Sequence, residues 1–477
     1  VNIDLLLQPF QRFGVNLGLD RIVKLLANLG NPHEQVPVIH VAGTNGKGSV
    51  CAYLSSVLTE AGYRTGRYTS PHLVDWTERI CLNEQAIASD TLSQLVLQVQ
   101  AAISPDEESP TQFEVITAAA WLYFAQSKVD VAVVEVGLGG RLDATNVCSQ
   151  PLVTIITSIS REHWQQLGST VAEIAREKAG ILKAGCPAVV GILPPDAEKV
   201  VRSRTLELQC PYIAPQPARQ ISPGWAEYQQ AGETRATGVG DKGDKGSQRV
   251  AEVSSVVATG VDKGDKGDKG DKGDNFLVPN SENRKSIKYR LPLEGQIQLA
   301  NSSLAIAALE ILQQKGWQIS QEAIINGIAK TKWLGRMQST TWRNHKLLID
   351  GAHNPAAAQV LREYVDSLDT PKVNWVMGML STKEHAEIFQ ALLRPNDSLY
   401  LTPVPDHSSA DTSELAKLAQ KICPEISYCQ TYPDLLSALE TAFSATDNLV
   451  ILCGSLYLIG HFFATVNTPD FNQPPTP

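Results

Sequence analysis

Apolar positions in the first two hundred residues fall into two alternating patterns. Short continuous runs, PVIHVA (37–42), VDVAVVEV (129–136), LVTIITS (152–158) and the segment 188–192, have the β-branched density of strands covered on both faces. Between them lie segments of helical spacing: 48–61, with Val50, Leu54, Val57 and Leu58 on one face, then 115–126 and 170–182. Strand and helix in alternation predict a parallel sheet with right-handed crossovers. Two further helices are predicted at 298–314 and 322–330. A second alternating series follows, with strands at LLID from Leu347, VNWVMG from Val373, SLYLTPV from Ser398 and LVILCG from Leu449, each leading into a helical segment.

At 477 residues the chain exceeds one ordinary core. The pattern divides it into a large N-terminal domain, 1–331, with a mostly parallel sheet, and a smaller Rossmann-like α/β domain, 332–477. Between about 235 and 274 the periodicity lapses, and DKG repeats run twice from Asp241 and four times from Asp262. They lack the proline and the length of collagen. Balanced Asp and Lys make them neutral but strongly solvated, so a disordered surface insertion is expected, with the flanking strands pairing across it. Metal binding by its aspartates is the alternative, weakened by the lack of a glutamate to close a calcium loop. The last ten residues, TPDFNQPPTP, are expected to be loose.

One run, NLVILCGSLYLIGHFFATV (448–466), is long enough to span a bilayer. Gly454, Ser455, Gly460 and His461 interrupt it, and a buried strand, a Gly-Ser turn and an apolar helix account for it better. With 43% hydrophobic and 19% charged residues the composition is that of a soluble globular protein, and no membrane association is expected. A net charge of -9 argues against nucleic-acid binding, which needs a basic surface. Eight cysteines occur singly with no CxxC pair, so a zinc cage has no support and a reducing, cytoplasmic setting is expected. The opening VNIDLLLQPFQRFG lacks the basic and apolar regions of a signal peptide.

The chemistry concentrates at VAGTNGKGSV (41–50), at the end of a predicted strand and the start of a helix. There backbone N–H groups and the helix N-terminus converge on an anion, as phosphate loops require. The spacing departs from the common loop: only Thr44 and Asn45 separate Gly43 from Gly46, and Gly48 stands between Lys47 and Ser49. Glycines at 43, 46 and 48 would let the backbone approach phosphates with no Cβ in the way. Lys47 brings charge and Ser49 a hydroxyl suited to magnesium; a Gly-rich connection with a solvated lysine is the plainer alternative. Glu135, inside an apolar run, needs a partner: a metal, or an arginine such as Arg141. His163, in SREHWQQLG, suits the same magnesium or is an ordinary surface histidine. Lys178 sits in the predicted helix AREKAGILK with Lys183 just over one turn on, and by composition alone does not stand out.

The segments VAGTNGKGSV, YTSPHLVDWTERI, EVGLGGRLDATN, IAREKAGILK, WLGRM, DGAHNP and CGSLYLIG, in this order along nearly the whole chain, resemble the folylpolyglutamate synthase/dihydrofolate synthase family of the Mur ligase superfamily. The resemblance implies a P-loop ATPase-like N-terminal domain. It implies an ATP-dependent ligase that adds L-glutamate to dihydropteroate and to tetrahydrofolates through an acyl phosphate. A polyglutamylase alone, or a related ligase acting on a cell-wall precursor, are the alternatives, as is a non-catalytic ATP-binding scaffold. By resemblance, Gly43, Thr44, Asn45, Gly46, Lys47, Gly48 and Ser49 cradle ATP, with Asn301 at adenine, Arg336 at phosphate, Asp350 at the ribose and His353 facing the site. Ser49, Glu135 and His163 match ligands for one or two Mg2+ ions, and Lys178 matches a lysine carbamylated in relatives. Lys47, His163 and Lys178 are the expected catalytic residues. Ser70, Pro71, His72, Glu78 and Arg79 match the loop over the folate. Departures are Ile297, where relatives often have His, and Glu162, where Asp is common. The expected partners are small molecules only: ATP, L-glutamate, dihydropteroate and reduced folates, acting on a monomer.

Overall fold

The buried strand runs read from the sequence form the centre of an eight-stranded sheet in the computed structural model, which describes residues 2–11, 16–230, 286–368, 370, 372–445 and 448–466. The DKG tract (235–274) and the terminal TPDFNQPPTP, for which insertion and loose tail were expected, lie outside these residues. In chain order the strands are β1 (Val38–Ala42), β2 (Thr65–Tyr68), β3 (Ile80–Leu82), β4 (Gln85–Ala86), β5 (Val131–Glu135), β6 (Val153–Ile156), β7 (Ala188–Val190) and β8 (Tyr212–Ile213). Their spatial order is β4-β3-β2-β5-β1-β6-β7-β8. From β2 to β8 all pairs are parallel; β3 and β4 add an antiparallel edge. Every residue of β1 and β5 is buried, which is why both read as unbroken apolar runs.

The helices Lys47–Glu60 and Ile297–Gln314 pack with β1, β5 and β6 in one core, which holds Ile39, Val133 and Ile155. The helix Gln112–Gln126 covers the opposite face, where Val134, Ile116 and Trp121 meet. Each fully buried Val or Ile contributes about 1.5–3 kcal/mol through loss of apolar surface. A charge at Val133, wholly enclosed between β1 and β2, would therefore break the sheet at its centre.

Around the insertion a small antiparallel sheet forms from β9 (Arg219–Ser222), β10 (Trp225–Gln229) and β11 (Ser286–Arg290). Trp225 pairs with Arg290 and Gln229 with Ser286, so the strands flanking the tract do pair, as the pattern suggested. The third sheet contains β12 (Gln338–Trp342), β13 (His345–Ile349), β14 (Val373–Met377), β15 (Ser398–Leu401), β16 (Tyr428–Thr431) and β17 (Leu449–Cys453), ordered β12-β13-β17-β14-β15-β16. Four of its pairings are parallel, and β12–β13 is an antiparallel hairpin. The first arm of that hairpin, β12, and the edge strand β16 were not anticipated, because both are largely polar and half-exposed and carry no buried-strand signal. The fold is two α/β domains, each on a mostly parallel sheet.

The apolar run 448–466 resolves into β17, a Gly-Ser turn and the helix Leu456–Thr465. Among the described residues no helix is long and apolar enough to cross a membrane. One helix is shorter than its periodicity implied. Val171–Lys178 ends at Lys178 in a 3-10 turn, Ala179–Ile181, so Lys183 lies beyond it.

Candidate active site

The chain leaves β1 at the point where the sheet divides, with β5 on one side and β6 on the other, the position at which open α/β sheets bind ligands. Gly43–Gly46 turn there into the helix Lys47–Glu60. Glu135 ends β5, and the loop carrying Glu162 and His163 follows β6. From the third sheet, the segments after β13, β14 and β17 reach the same place. Together they enclose a cavity of about 740 Å³.

Most of the residues expected at a nucleotide site line this cavity: Thr44 to Ser49, Glu135, His163, Lys178, Asn301, Arg336, Asp350 and His353. Gly43 does not. A Cβ on Gly43 would collide with the Thr157 hydroxyl, one on Gly46 would lie 2.5 Å from Oδ1 of Asn301, and one on Gly48 would lie 2.5 Å from the Trp333 ring. Gly46 also needs its left-handed φ of 86°. Neighbouring protein atoms thus leave no room for a side chain at Gly43, Gly46 or Gly48.

Lys47 Nζ donates to the Thr44 carbonyl at 3.1 Å and stands 3.9 Å from Oε1 of Glu135. Glu135 accepts from the Ser70 N–H at 3.2 Å, while Arg141, its suggested alternative partner, pairs instead with Glu177. Burial pushes the Glu135 carboxyl up, opposed by Lys47, the Ser70 N–H, Arg336 and Arg79. Ser49 is buried, with its Oγ 3.5 Å from Nε2 of Gln298. Lys178 is enclosed and donates to the Gly43 carbonyl at 2.7 Å; burial, with Lys47 nearby, pushes its ammonium down to about 7. The cleft walls and the lysines at 383, 178 and 47 push the His163 imidazole down against the charge of Glu162, leaving it neutral at pH 7.

Among the described residues no group of three or more His, Cys, Asp or Glu could hold a metal alone. Magnesium is content with one or two protein ligands when phosphates and water supply the rest. A buried carboxylate at Glu135, the Ser49 hydroxyl and a neutral His163 on one cavity fit an ion that arrives with a nucleotide.

Across the cavity, Asp350 accepts from the N–H groups of Met337 and Ala352, both at 2.8 Å, which fixes the two segments that carry Arg336 and His353. His353 Nε2 lies 3.2 Å from Oε1 of Glu162. Burial acts to raise the Glu162 carboxyl, yet the hydrogen bond and charge of His353, with Lys47, outweigh it and hold it well below the carboxylate range.

Of the expected folate loop, Ser70, Pro71 and Arg79 reach the cavity; His72 and Glu78 do not. Glu78 caps the turn Trp76–Arg79, its oxygens accepting from the N–H groups of Leu73, Val74 and Asp75, each at 2.8 Å. His72 Nδ1 accepts from Nε of Arg79 at 2.9 Å. Both shape the loop that presents Arg79. Sequence reasoning also missed cavity residues, Phe113, Leu142, Asp143 and Lys383, and gave no site role to Glu162, noted only as a departure from the family pattern. The capping box Thr111–Glu114 was a legible signal for Phe113, since it fixes the first turn of that helix.

The chain is similar to known proteins across both domains. The Mur ligase middle domain matches residues 41–213, and the dihydrofolate synthetase C-terminal domain matches 333–465. The chain is 33% identical over 458 residues to a probable dihydrofolate synthetase of Schizosaccharomyces pombe, covering 94% of this chain and 98% of that protein. It is 32% identical over 458 residues to the dihydrofolate synthase/folylpolyglutamate synthase of Bacillus subtilis, covering 94% of each. Among solved structures, the folylpolyglutamate synthase of Thermotoga maritima superposes with a TM-score of 0.71 at 30% identity, over 96% of this chain and 95% of that one. Escherichia coli FolC in complex with DHPP and ADP gives 0.74 at 27%, over 97% of each.

Proposed function

The chain belongs to the dihydrofolate synthase/folylpolyglutamate synthase family, and from that premise we propose that it is an ATP-dependent ligase adding L-glutamate to dihydropteroate and to tetrahydrofolates. One observation carries the reading. The phosphate loop, Glu135 and Lys178 from the first sheet share a single cavity with Arg336, Asp350 and His353 from beside the third.

The chemistry the residues support is phosphoryl transfer followed by amide formation. A substrate carboxylate attacks the γ-phosphate of ATP, giving an acyl phosphate and ADP. The glutamate amine then displaces phosphate through a tetrahedral intermediate. Such transfer needs positioning and charge neutralisation more than covalent help. Lys47 and the N–H groups of residues 46–49 would hold the phosphates, while those of Thr44 and Asn45 donate to Ser158, and Arg336 would meet the phosphates from the far wall. Asp350 retains a lone pair on each oxygen for the ribose, and Asn301, buried beside Gly46, would face the base. Ser49, Glu135 and His163 would hold magnesium, which when bound neutralises phosphate charge. Lys178, poised near neutrality and buried, suits carbamylation, since only the free amine takes up carbon dioxide. Ser70, Pro71 and Arg79, with Phe113 and Leu142, would receive the pterin substrate, with Arg79 close to the reacting carboxylate; His72 and Glu78 hold that loop in shape. Because the walls come from two sheets joined through 331–337, we set the domain boundary at 331/332. Enclosure between two domains would keep water from the acyl phosphate. The reading carries with it a cytoplasmic, monomeric enzyme.

The test is ADP formation with dihydropteroate and with tetrahydrofolate, each with and without glutamate. Glutamate-dependent ADP from both substrates supports the bifunctional enzyme. Release with only one assigns a monofunctional member. Well-folded protein that responds to neither overturns the reading and turns attention to cell-wall precursors.

A further inference from the structure

Gly48, the glycine that the common phosphate loop lacks, faces an indole. A Cβ there would stand 2.5 Å from Cζ2 and 2.9 Å from Cε2 of Trp333. Trp333 belongs to the segment 331–337, which joins the helix Gln321–Lys330 to β12. The Arg67 guanidinium lies 5.5 Å from the ring centroid and is itself held by Ser55 at 3.1 Å, Glu84 at 2.5 Å and Cys81 at 3.3 Å. Trp333 does not line the cavity, but Gly48 and Arg336 do. The segment is also fastened beyond Trp333: the Gly335 carbonyl accepts from the Gly351 N–H at 2.8 Å, and the Met337 N–H donates to Asp350 at 2.8 Å.

We propose that Trp333 is a positioning residue, seated in the notch that Gly48 leaves in the first turn of the phosphate-loop helix, and that it fixes Arg336 relative to that loop. The inference rests on the ligase reading and deepens it. An arginine has four rotatable bonds and cannot hold its own distance from a phosphate. A rigid ring three residues away, pressed on the loop's own backbone, sets where that arginine begins. Gly48 is then glycine to admit the tryptophan, and the departure from the common loop is the imprint of the joining segment. A displacement of about 1 Å at a phosphate-binding group is enough to cost up to a hundredfold in rate.

Four full-length variants decide the matter: Trp333→Phe, Trp333→Ala, Gly48→Ala and the double variant Gly48→Ala/Trp333→Ala. Each is assayed for ADP formation, for equilibrium binding of ADP with magnesium and for melting temperature. Trp333→Ala is expected to lower kcat by about tenfold or more and to raise KM for ATP, with Trp333→Phe retaining most of both. Gly48→Ala should be at least as damaged, and the double variant no worse than Trp333→Ala, because the added methyl then meets no ring. In protein labelled with 5-fluorotryptophan, the resonance missing from Trp333→Phe should shift when ADP and magnesium are added. Wild-type kinetics in Trp333→Ala would overturn the inference, as would losses that multiply in the double variant, since Gly48 would then serve the phosphates directly. Should Trp333→Ala fail to fold, Trp333→Phe and the fluorine resonance carry the test, and a resonance unmoved by nucleotide counts against it. A wild type that binds no ADP overturns the ligase reading itself, and this inference with it.

Discussion

Glu162 and His353 meet across the seam between the two domains, with Oε1 of the first 3.2 Å from Nε2 of the second. The same oxygen accepts from Nδ2 of Asn354 at 3.2 Å, and Asn354 exchanges amide contacts with Asn45 of the phosphate loop at 3.1 and 3.3 Å. The DGAHNP segment is thus tied to the loop after β6 through Glu162 and to the phosphate loop through Asn354.

Glu162→Gln should therefore damage turnover more than folding. The amide keeps the shape but removes the charge that meets His353, and kcat is expected to fall by about one to two orders of magnitude. The melting temperature should change little, because the seam lies outside the apolar cores. Steady-state ADP release alongside thermal melting checks this; an unchanged kcat would mean that the contact positions nothing.

Lys178 gives a pH dependence whose sign follows from its burial. Its ammonium is pushed down to about 7, so the free amine predominates above pH 7 and the charged form below. If carbamylation is used, activity in bicarbonate should climb between about pH 6 and 8. A carbamate carbon signal should appear by NMR with labelled bicarbonate and vanish in Lys178→Ala. Full activity with bicarbonate rigorously removed would argue against the modification.

Glu310 predicts a stability effect far from the cavity. Its carboxyl accepts from Tyr228 at 3.1 Å, and burial pushes it up to about 7. The folded state therefore holds a proton that the unfolded chain releases near pH 4.5. The resulting stabilisation is complete below that pH and is lost as pH rises towards 7. Glu310→Gln, which cannot ionise, should melt higher than the parent at pH 8, by about 1–2 °C, and similarly at pH 4. Parallel melting curves for the two proteins across pH would remove the argument.

Asp397 is the hub of the C-terminal sheet's buried polar network. It accepts from Arg362 at 2.9 Å, from the Trp375 indole N–H at 3.0 Å and from the Arg394 N–H at 3.1 Å, while 2% exposed. Asp397→Ala leaves those donors without their acceptor and should cost about 3–5 kcal/mol. Chemical denaturation should show the loss. Nucleotide affinity of the folded fraction should not change.

How much of this was legible in the sequence varies with the range of the interaction. Buried strands such as β1 and β5 declared themselves, because a strand covered on both faces must be apolar at every position. VAGTNGKGSV could be placed as a phosphate loop for the same reason, since the strand before it was unmistakable. Strand β12 and edge strand β16 escaped, because half-exposed strands mix polar and apolar residues. His72 and Glu78 sat in the right motif, yet their side chains are spent on the loop's own backbone and on Arg79. Sequence motifs do not distinguish a group that meets the ligand from one that shapes its loop.

By itself, then, the sequence determined the local elements, the order of the strands along the chain and the chemical types at the site. Those depend on periodicity, capping and backbone freedom, all set by neighbours within a few residues. Only the tertiary structure decided which distant residues meet. It paired Glu162 with His353, set Lys178 beneath the Gly43 carbonyl and pressed Trp333 onto Gly48. Such contacts arise from packing two sheets around one cavity, and the energy that selects them is distributed over the whole core.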